Sequence, residues 1–277
     1  MTDRGSDGWA DESMTEPARS EARQWTVAEI HDRLRAAILR GELRAGDALS
    51  QVLLARELGV GRTPLREALR MLQREGLVEG EYNHRVRVAP FSLGDLEQVY
   101  AMRILLEALA VRTSVPSFTE EDLAGLMQAV HDMDEAARSR DLDAWESAHR
   151  RLHFGLAQYA GDRILEQVRT LLEHAERYRH LFIRGDPVSW GFGAHFDEGI
   201  VEACRRRDAS EASRLLALLL ARAAFAGVAY LAPGHDPAII RSAVRVVIGE
   251  TSDLPGPWVP AASARDHRSV KRGRTVS

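Results

Sequence analysis

Between residues 25 and 76 apolar side chains recur at helical spacing in three short bursts, each closed by a glycine. Val27, Ile30, Leu34, Ile38 and Leu39 predict a first helix over 25–40, ended at Gly41 where a left-handed cap is wanted. Ser50 is placed to cap a second helix over Gln51 to Leu58, stopped by Gly59. Leu65, Ala68, Leu69 and Leu72 share one face of a third, Gly61 to Glu75, with Pro64 in its first turn and Gly76 behind it. A tight glycine turn between the second and third helices makes a helix-turn-helix, at about 51–70. Leu77, Val78, Val86 and Val88 then flank the polar stretch Glu81 to Arg85 and predict a hairpin wing.

From Pro90 to about residue 231 the pattern is helical throughout. Ser92, Thr119, Asp141 and Asp162 stand where helix caps are needed. Six helices are predicted, over approximately 92–114, 119–139, 141–160, 162–184, 189–206 and 208–231, with a possible seventh over 237–249. The expected fold class is mainly α: an N-terminal winged helix-turn-helix followed by an all-α antiparallel six- or seven-helix bundle. Residues 1–22 and 251–277 lack apolar periodicity and are rich in Ser, Gly, Pro and charge, so they are expected to be disordered tails. The basic run Arg265 to Arg274 is assigned no role. This divides the chain into a tail (1–22), a DNA-binding unit (23–90), an effector-binding and dimerisation unit (91–250) and a second tail (251–277).

Composition narrows the setting. A chain of 277 residues, 45% hydrophobic, can fill two cores. No run of eighteen apolar residues occurs, since the greasiest stretch, Leu215 to Tyr230, is broken by Arg222. The amino terminus is acidic and polar where a secretory signal needs a basic start and an apolar middle. Cys204 is the single cysteine, which excludes an intrachain disulfide and a cysteine-built zinc cluster. A cytoplasmic protein without a membrane span is expected. The net charge of -4 argues against coating nucleic acid non-specifically. Locally the sign reverses: Arg23 to Arg87 holds twelve arginines against nine acids, about +3.

The third helix places Arg62, Thr63 and Arg66 at its amino-terminal end, the part of a recognition helix that meets base edges in the major groove. An arginine fork can hold guanine O6 and N7 together, worth roughly 1–3 kcal/mol of discrimination. Arg70 and Arg74 follow on a neighbouring stripe, where they track phosphates or stay solvated. At the wing tip Asn83, His84 and Arg85 are placed to reach the adjacent minor groove or its backbone.

The segments AILRGELRAGDALS and GVGRTPLREALRMLQREGLVEG together resemble the winged-helix domain of GntR-type bacterial regulators, over residues 24–90. The helical remainder, with RILLEALAVR and later LHFGLAQYAGDRIL, is similar to the ligand-binding half of the FadR branch in its FCD form. Two departures stand out. Family wings usually hold glycine where Arg85 stands, and an arginine of the second helix that touches DNA in some relatives is matched by Val52, so that contact is not carried over.

His149 and His153, four residues apart on one helix, put two imidazoles on one face within reach of a single ion, a spacing that packed or exposed histidines also show. The resemblance implies a divalent metal held by an aspartate, a histidine four residues on and two later histidines. His153 falls on a family histidine, His149 on the aspartate, Asp197 on the third ligand and Leu219 on the fourth. Periodicity supports Asp197 over His195, because Ile200, Val201 and Cys204 mark the buried face. Two imidazoles and a carboxylate remain a workable set for zinc, nickel or iron. The open alternative is a metal-free pocket in which these residues hydrogen-bond an organic effector. Arg103 matches a family arginine that often faces the cavity, where it would clamp a carboxylate; it is equally placed to pair with Glu107. Tyr178, Arg179, Arg184 and Trp190 are further cavity candidates that nothing in the sequence separates from surface or core.

The expected function is a sequence-specific transcription regulator and not an enzyme: a homodimeric repressor on a near-palindromic operator, controlled by a small carboxylate. Alternatives are a metal-free regulator of the same family responding to acyl-CoA or another organic ligand, a metal-dependent enzyme on the helical unit, and a DNA-bending protein.

Overall fold

The structure, a computed structural model, describes residues 25–80, 86–185 and 194–249, with the side chains of 181–185, 194 and 195 left undescribed. Helix α1 (Val27–Leu39) opens on a capping box. Thr26 accepts from the Glu29 amide at 3.2 Å, and Glu29 accepts from the Thr26 amide at 2.9 Å. Strand β1 (Ala48–Leu49), α2 (Gln51–Leu58), α3 (Arg62–Arg74), β2 (Val78–Glu79) and β3 (Val86–Val88) follow. Strand β3 is central in a three-stranded antiparallel sheet, with Leu49 opposite Val86 and Val78 opposite Val88. The hydrophobic pattern did not announce β1: two residues are too few for a period of two to appear, and only pairing with β3 defines them. Ile30, Leu34, Leu65, Leu72, Leu77 and Val88, each at most 3% exposed, form the core of this winged helix.

The second unit comprises α4 (Leu93–Ser114), a 3-10 turn (Val115–Ser117), α5 (Glu120–Ser139), α6 (Leu142–Ala157), α7 (Asp162–Gly185), α8 (Ala194–Arg205), α9 (Ala209–Leu231) and α10 (Ala238–Ile248). The seventh helix is therefore formed. Ser92, Thr119 and Asp141 cap their helices as expected. Asp162 does not cap: Gly161 takes the turn with φ +95, and α7 begins at Asp162 itself, whose carboxylate sits in the first turn where the helix dipole favours it. Helix α6 stops three residues before the predicted end, where the Ala160 amide turns back to the Ala157 carbonyl at 2.9 Å. Helix α4 is the centre of the bundle, packed by α6, α7, α9 and α10, while α5 joins α6 to α8.

By length and mean hydropathy, 1.7 over its best window, α9 could cross a membrane. Half of that window is buried in the protein, with Leu216, Leu220 and Phe225 facing the bundle core, so α9 is packed as a core helix.

Helix α7 joins the two units. Arg35 of α1 bridges Glu75 of its own unit, at 3.1 Å, and Glu173 of α7. His180 donates through Nδ1 to the Leu39 carbonyl at the end of α1, at 2.8 Å, and Arg177 donates to the Ala89 carbonyl at 2.6 Å. A cleft of about 460 Å³ lies between α1 and helices α6 and α7, lined among others by Arg35, Leu39, Glu146, Arg150, Glu173 and Glu176.

Candidate functional site

The reading head is built from the turn upward. Gly59 ends α2 at φ +65, a conformation that favours glycine, and the chain needs only two more residues before α3 starts at Arg62. Leu65, Ala68, Leu69 and Leu72 face the core, which leaves Arg62, Thr63 and Arg66 exposed together at the helix start. Arg70 pairs with Glu67 at 2.6 Å, and Gln73 ties α3 to the base of the wing by donating to the Gly80 carbonyl at 2.9 Å. Asn83, His84 and Arg85 lie outside the described residues. On the first turn of α2, Val52 and Leu53 are exposed, so this position presents apolar surface beside the reading head.

The second site is a buried polar cluster between α4, α6 and α7. Arg103, 1% exposed, donates through Nε to Glu107 at 2.6 Å, the pairing their spacing allowed. The other Glu107 oxygen lies 2.5 Å from His153 Nδ1. Burial works against an ionised Glu107, but Arg103 and His153 prevail and hold it at about 2. Burial holds His153 below its ordinary range despite Glu107, and keeps His149 well below it, aided there by Arg179. Both imidazoles are thus neutral, with His153 donating Nδ1–H to Glu107 and keeping its lone pair on Nε2. The two rings stand 4.3 Å apart between centres, and Trp145 stacks on His149 at 4.8 Å. From α7, Arg179 grips Glu146 through Nε at 3.1 Å and Nη2 at 2.7 Å, and burial of Glu146 is overcome by that guanidinium and by His180, 3.4 Å away. Five buried atoms here have no hydrogen-bond partner: Tyr100 Oη, Arg103 Nη2, His149 Nδ1, Arg179 Nη1 and His180 Nε2.

The donor set does not fit a resident divalent cation. The structure brings His149 and His153 together, but Asp197 is not gathered with them into a set whose ligand atoms lie within 4.8 Å, among the described residues. Asp197 is 2% exposed on α8 with Oδ1 unpartnered, and burial, with Asp134 and Glu198 beside it, pushes its carboxyl up to about 8. It is protonated at neutral pH, and the fourth position is Leu219. Both histidines also feel Arg103 and Arg179, which oppose a nearby cation. The described group that does converge is Glu146, Glu176 and His180. There Arg179 already holds Glu146, and Arg150 holds Glu176 at 2.9 Å.

Sequence reasoning named Arg103, His149 and His153, and left Tyr178 and Arg179 undecided. Tyr178 is buried and donates to Asp95 at 2.6 Å, so it anchors α7 to the start of α4. The side chains of Arg184, Trp190 and His195 lie outside the described residues. Glu146 and Tyr100 were missed. The signal for Glu146 was its position three residues before His149; Tyr100 looked like any core aromatic.

A winged helix that exposes an arginine-rich recognition helix, carried on a separate helical bundle, defines a DNA-binding transcription regulator. A model described as bacterial regulatory proteins, gntR family, matches residues 26–88, and an FCD domain model matches residues 98–222. The chain belongs to the GntR family and carries an FCD domain. It is 30% identical over 161 residues to the HTH-type transcriptional repressor GlaR of Escherichia coli, covering 56% of this chain and 73% of that one. It is 27% identical over 153 residues to the uncharacterized HTH-type transcriptional regulator YdhC of Bacillus subtilis, covering 55% and 67%. Among solved structures, a putative GntR regulator from Rhodococcus aligns with a TM-score of 0.62 at 26% identity, covering 73% of this chain and 97% of that one. Proteins of this family are regulators, and the chain is not an enzyme.

Proposed function

We propose that the chain is a cytoplasmic repressor, dimeric on a near-palindromic operator, whose DNA affinity is set by a small carboxylate bound in the helical bundle. The DNA contacts of this reading are Arg62, Thr63 and Arg66 in the major groove, with Asn83, His84 and Arg85 at the wing. The effector contacts are Arg103, His149 and His153, with Asp197, a buried protonated carboxyl on α8, as a further hydrogen-bonding group. The units of the reading are a DNA-binding part over 23–90 and an effector-binding and dimerisation part over 91–250. Two relatives carry repressor in their names: GlaR and a probable D-xylose utilization operon transcriptional repressor.

The observation that carries the effector side is Arg103: a guanidinium 1% exposed, held by Glu107 through one nitrogen and presenting another, Nη2, with no partner. A buried donor of this kind is costly unless an acceptor arrives, and a carboxylate is the acceptor it binds best. Neutral His149 and His153 add hydrogen-bonding atoms without adding charge. Helix α7 supports a route to DNA, because it touches the cluster through Arg179 and the winged helix through Glu173, Arg177 and His180. An acid that binds more tightly to one arrangement of α7 than to the other shifts operator affinity by the ratio of those affinities.

The test is a footprint on the DNA flanking the protein's own gene, made in EDTA with a panel of small carboxylic acids. Protection of a two-fold symmetric site, lost in Arg66→Ala and released by an acid in the panel, is the expected result. Protection indifferent to Arg66, or equal binding to random DNA, would overturn the DNA reading; protection that every acid leaves intact would overturn the effector reading.

A further inference from the structure

Three acceptor groups meet where the bundle seats the winged helix. The carboxylates of Glu146 on α6 and Glu176 on α7, with the imidazole of His180 on α7, bring ligand atoms within 4.8 Å of one another, and all three side chains are buried. A carbonyl can only accept, so His180 carries a hydrogen on Nδ1, given to Leu39 at 2.8 Å, and the lone pair of its neutral ring is on Nε2. That Nε2, on a residue 7% exposed, has no hydrogen bond and is aimed at Glu146 Oε1, 3.4 Å away. Two acceptors so placed need a proton or a cation between them.

The neighbouring arginines leave room for a cation. Arg150 uses one Glu176 oxygen, Oε2, at 2.9 Å, and each Glu146 oxygen keeps a lone pair beside the one that Arg179 takes. Burial and the nearby Glu146 push Glu176 up from its ordinary value, a crowding that a cation relieves. The spacing suits an ion as well. Two ligand atoms, each about 2.1 Å from one tetrahedral ion, stand roughly 3.4 Å apart. His180 Nε2 and Glu146 Oε1 have that separation already. Both glutamates line the cleft of about 460 Å³ between α1 and helices α6 and α7, which gives entry and room for water. Five carboxylates against three guanidiniums line that cleft, so with Arg179 behind Glu146 it stays acidic.

We infer that Glu146, Glu176 and His180 hold a divalent transition-metal ion at the joint between the bundle and the winged helix, with water from the cleft completing its shell. Two carboxylates and an imidazole suit zinc, manganese, nickel or iron. A bond from the other ring nitrogen to a backbone carbonyl, here Leu39, is the outer contact that orients a ligating imidazole. The site shares no ligand with the set His149, His153 and Asp197. Because the same ring holds the end of α1, loading the ion fixes the contact that seats the winged helix. This regulatory consequence rests on the reading of the chain as a DNA-binding regulator; the binding does not.

The test is calorimetry with Zn2+, Mn2+ and Ni2+ on the full untagged chain, stripped with EDTA and dialysed. At least one of these metals is expected to bind at about one ion per chain. Glu176→Gln and His180→Ala should each weaken it at least tenfold. Should either variant fail to fold, as judged by circular dichroism, long-range proton–nitrogen NMR of the native chain with Zn2+ serves instead, and His180 Nε2 should move most among the histidine nitrogens. No binding by any of the three metals would overturn the site. So would undiminished affinity in Glu176→Gln, the same loss in His153→Ala, or a Zn2+ shift that falls on another histidine. On a footprinted operator, the metal that binds should change the affinity of the native chain at least threefold and leave that of Glu176→Gln unmoved. Unchanged operator affinity with the ion bound would overturn the regulatory consequence. Absence of any footprint would strike the regulator reading and that consequence with it, while calorimetry still decides the site.

Discussion

Asp197 buries a carboxyl with one oxygen unpartnered and two further acids nearby, so its proton is held to about pH 8 instead of the ordinary 3.8. A folded-state pKa raised above the unfolded one means that the unfolded chain loses this proton first as pH rises. The stability linked to the group is then fully present below about pH 4 and is lost progressively up to about pH 8. Asp197→Asn, neutral at every pH, should gain on the native chain steadily between about pH 4 and pH 8, by roughly 1.4 kcal/mol per pH unit in urea unfolding. A pH-independent difference would show that the carboxyl is not held protonated. On the DNA side, Arg66→Ala should weaken operator binding by about 1–3 kcal/mol and relax selectivity at one base pair of each half-site. In gel-shift titrations Arg74→Ala, from the far end of the same helix, should weaken all sequences about equally. Arg103, His149 and His153 were legible as single residues because motif and spacing isolate them. That Tyr100, Arg103, His149 and Arg179 each keep an unpartnered polar atom was not, since satisfaction of a hydrogen bond depends on neighbours from three helices.

At the scale of elements, the helices of the winged helix followed their signals to within two residues, because an apolar face and a closing glycine agree in each and a side-chain cap opens α1 and α2. Gly59 is the hinge of that agreement. Nothing lies within 4 Å of a β-carbon added there, so Gly59→Ala meets only the cost of its left-handed backbone, about 1 kcal/mol. Thermal unfolding should register that loss, and an unchanged melting temperature would mean that the turn relaxes. Helix α7 was harder to read. Its stretch Glu176 to His180 is polar and looks solvated in sequence, yet all five residues are buried, because one side meets the bundle and the other meets α1 and the start of α4. A stretch of helix enclosed by two units has no solvent face, so periodicity is silent there, although the first half of α7 keeps exposed residues such as Arg163, Glu166 and Arg169. Strand β1 escaped for the opposite reason: it is too short to have a period.

For the whole molecule, the account joins a reading head to a buried charge cluster through one helix. Removing the joint should separate the two functions. His180→Ala deletes the contact with the Leu39 carbonyl and the ring that stands 3.4 Å from Glu146. Acid affinity measured by calorimetry should stay within about threefold of native, a shift below 1 kcal/mol, while the acid's effect on operator affinity falls by most of its size. Native coupling in that variant would move the route elsewhere in the interface. The central claim, sequence-specific DNA binding by α3, is tested most directly by fluorescence anisotropy of the full chain on a footprinted operator and on scrambled DNA at several salt concentrations. The account predicts at least 1,000-fold preference for the operator at physiological salt, lost largely in Arg62→Ala with Arg66→Ala. Equal affinity for both DNAs, or a preference that survives the double substitution, would contradict it.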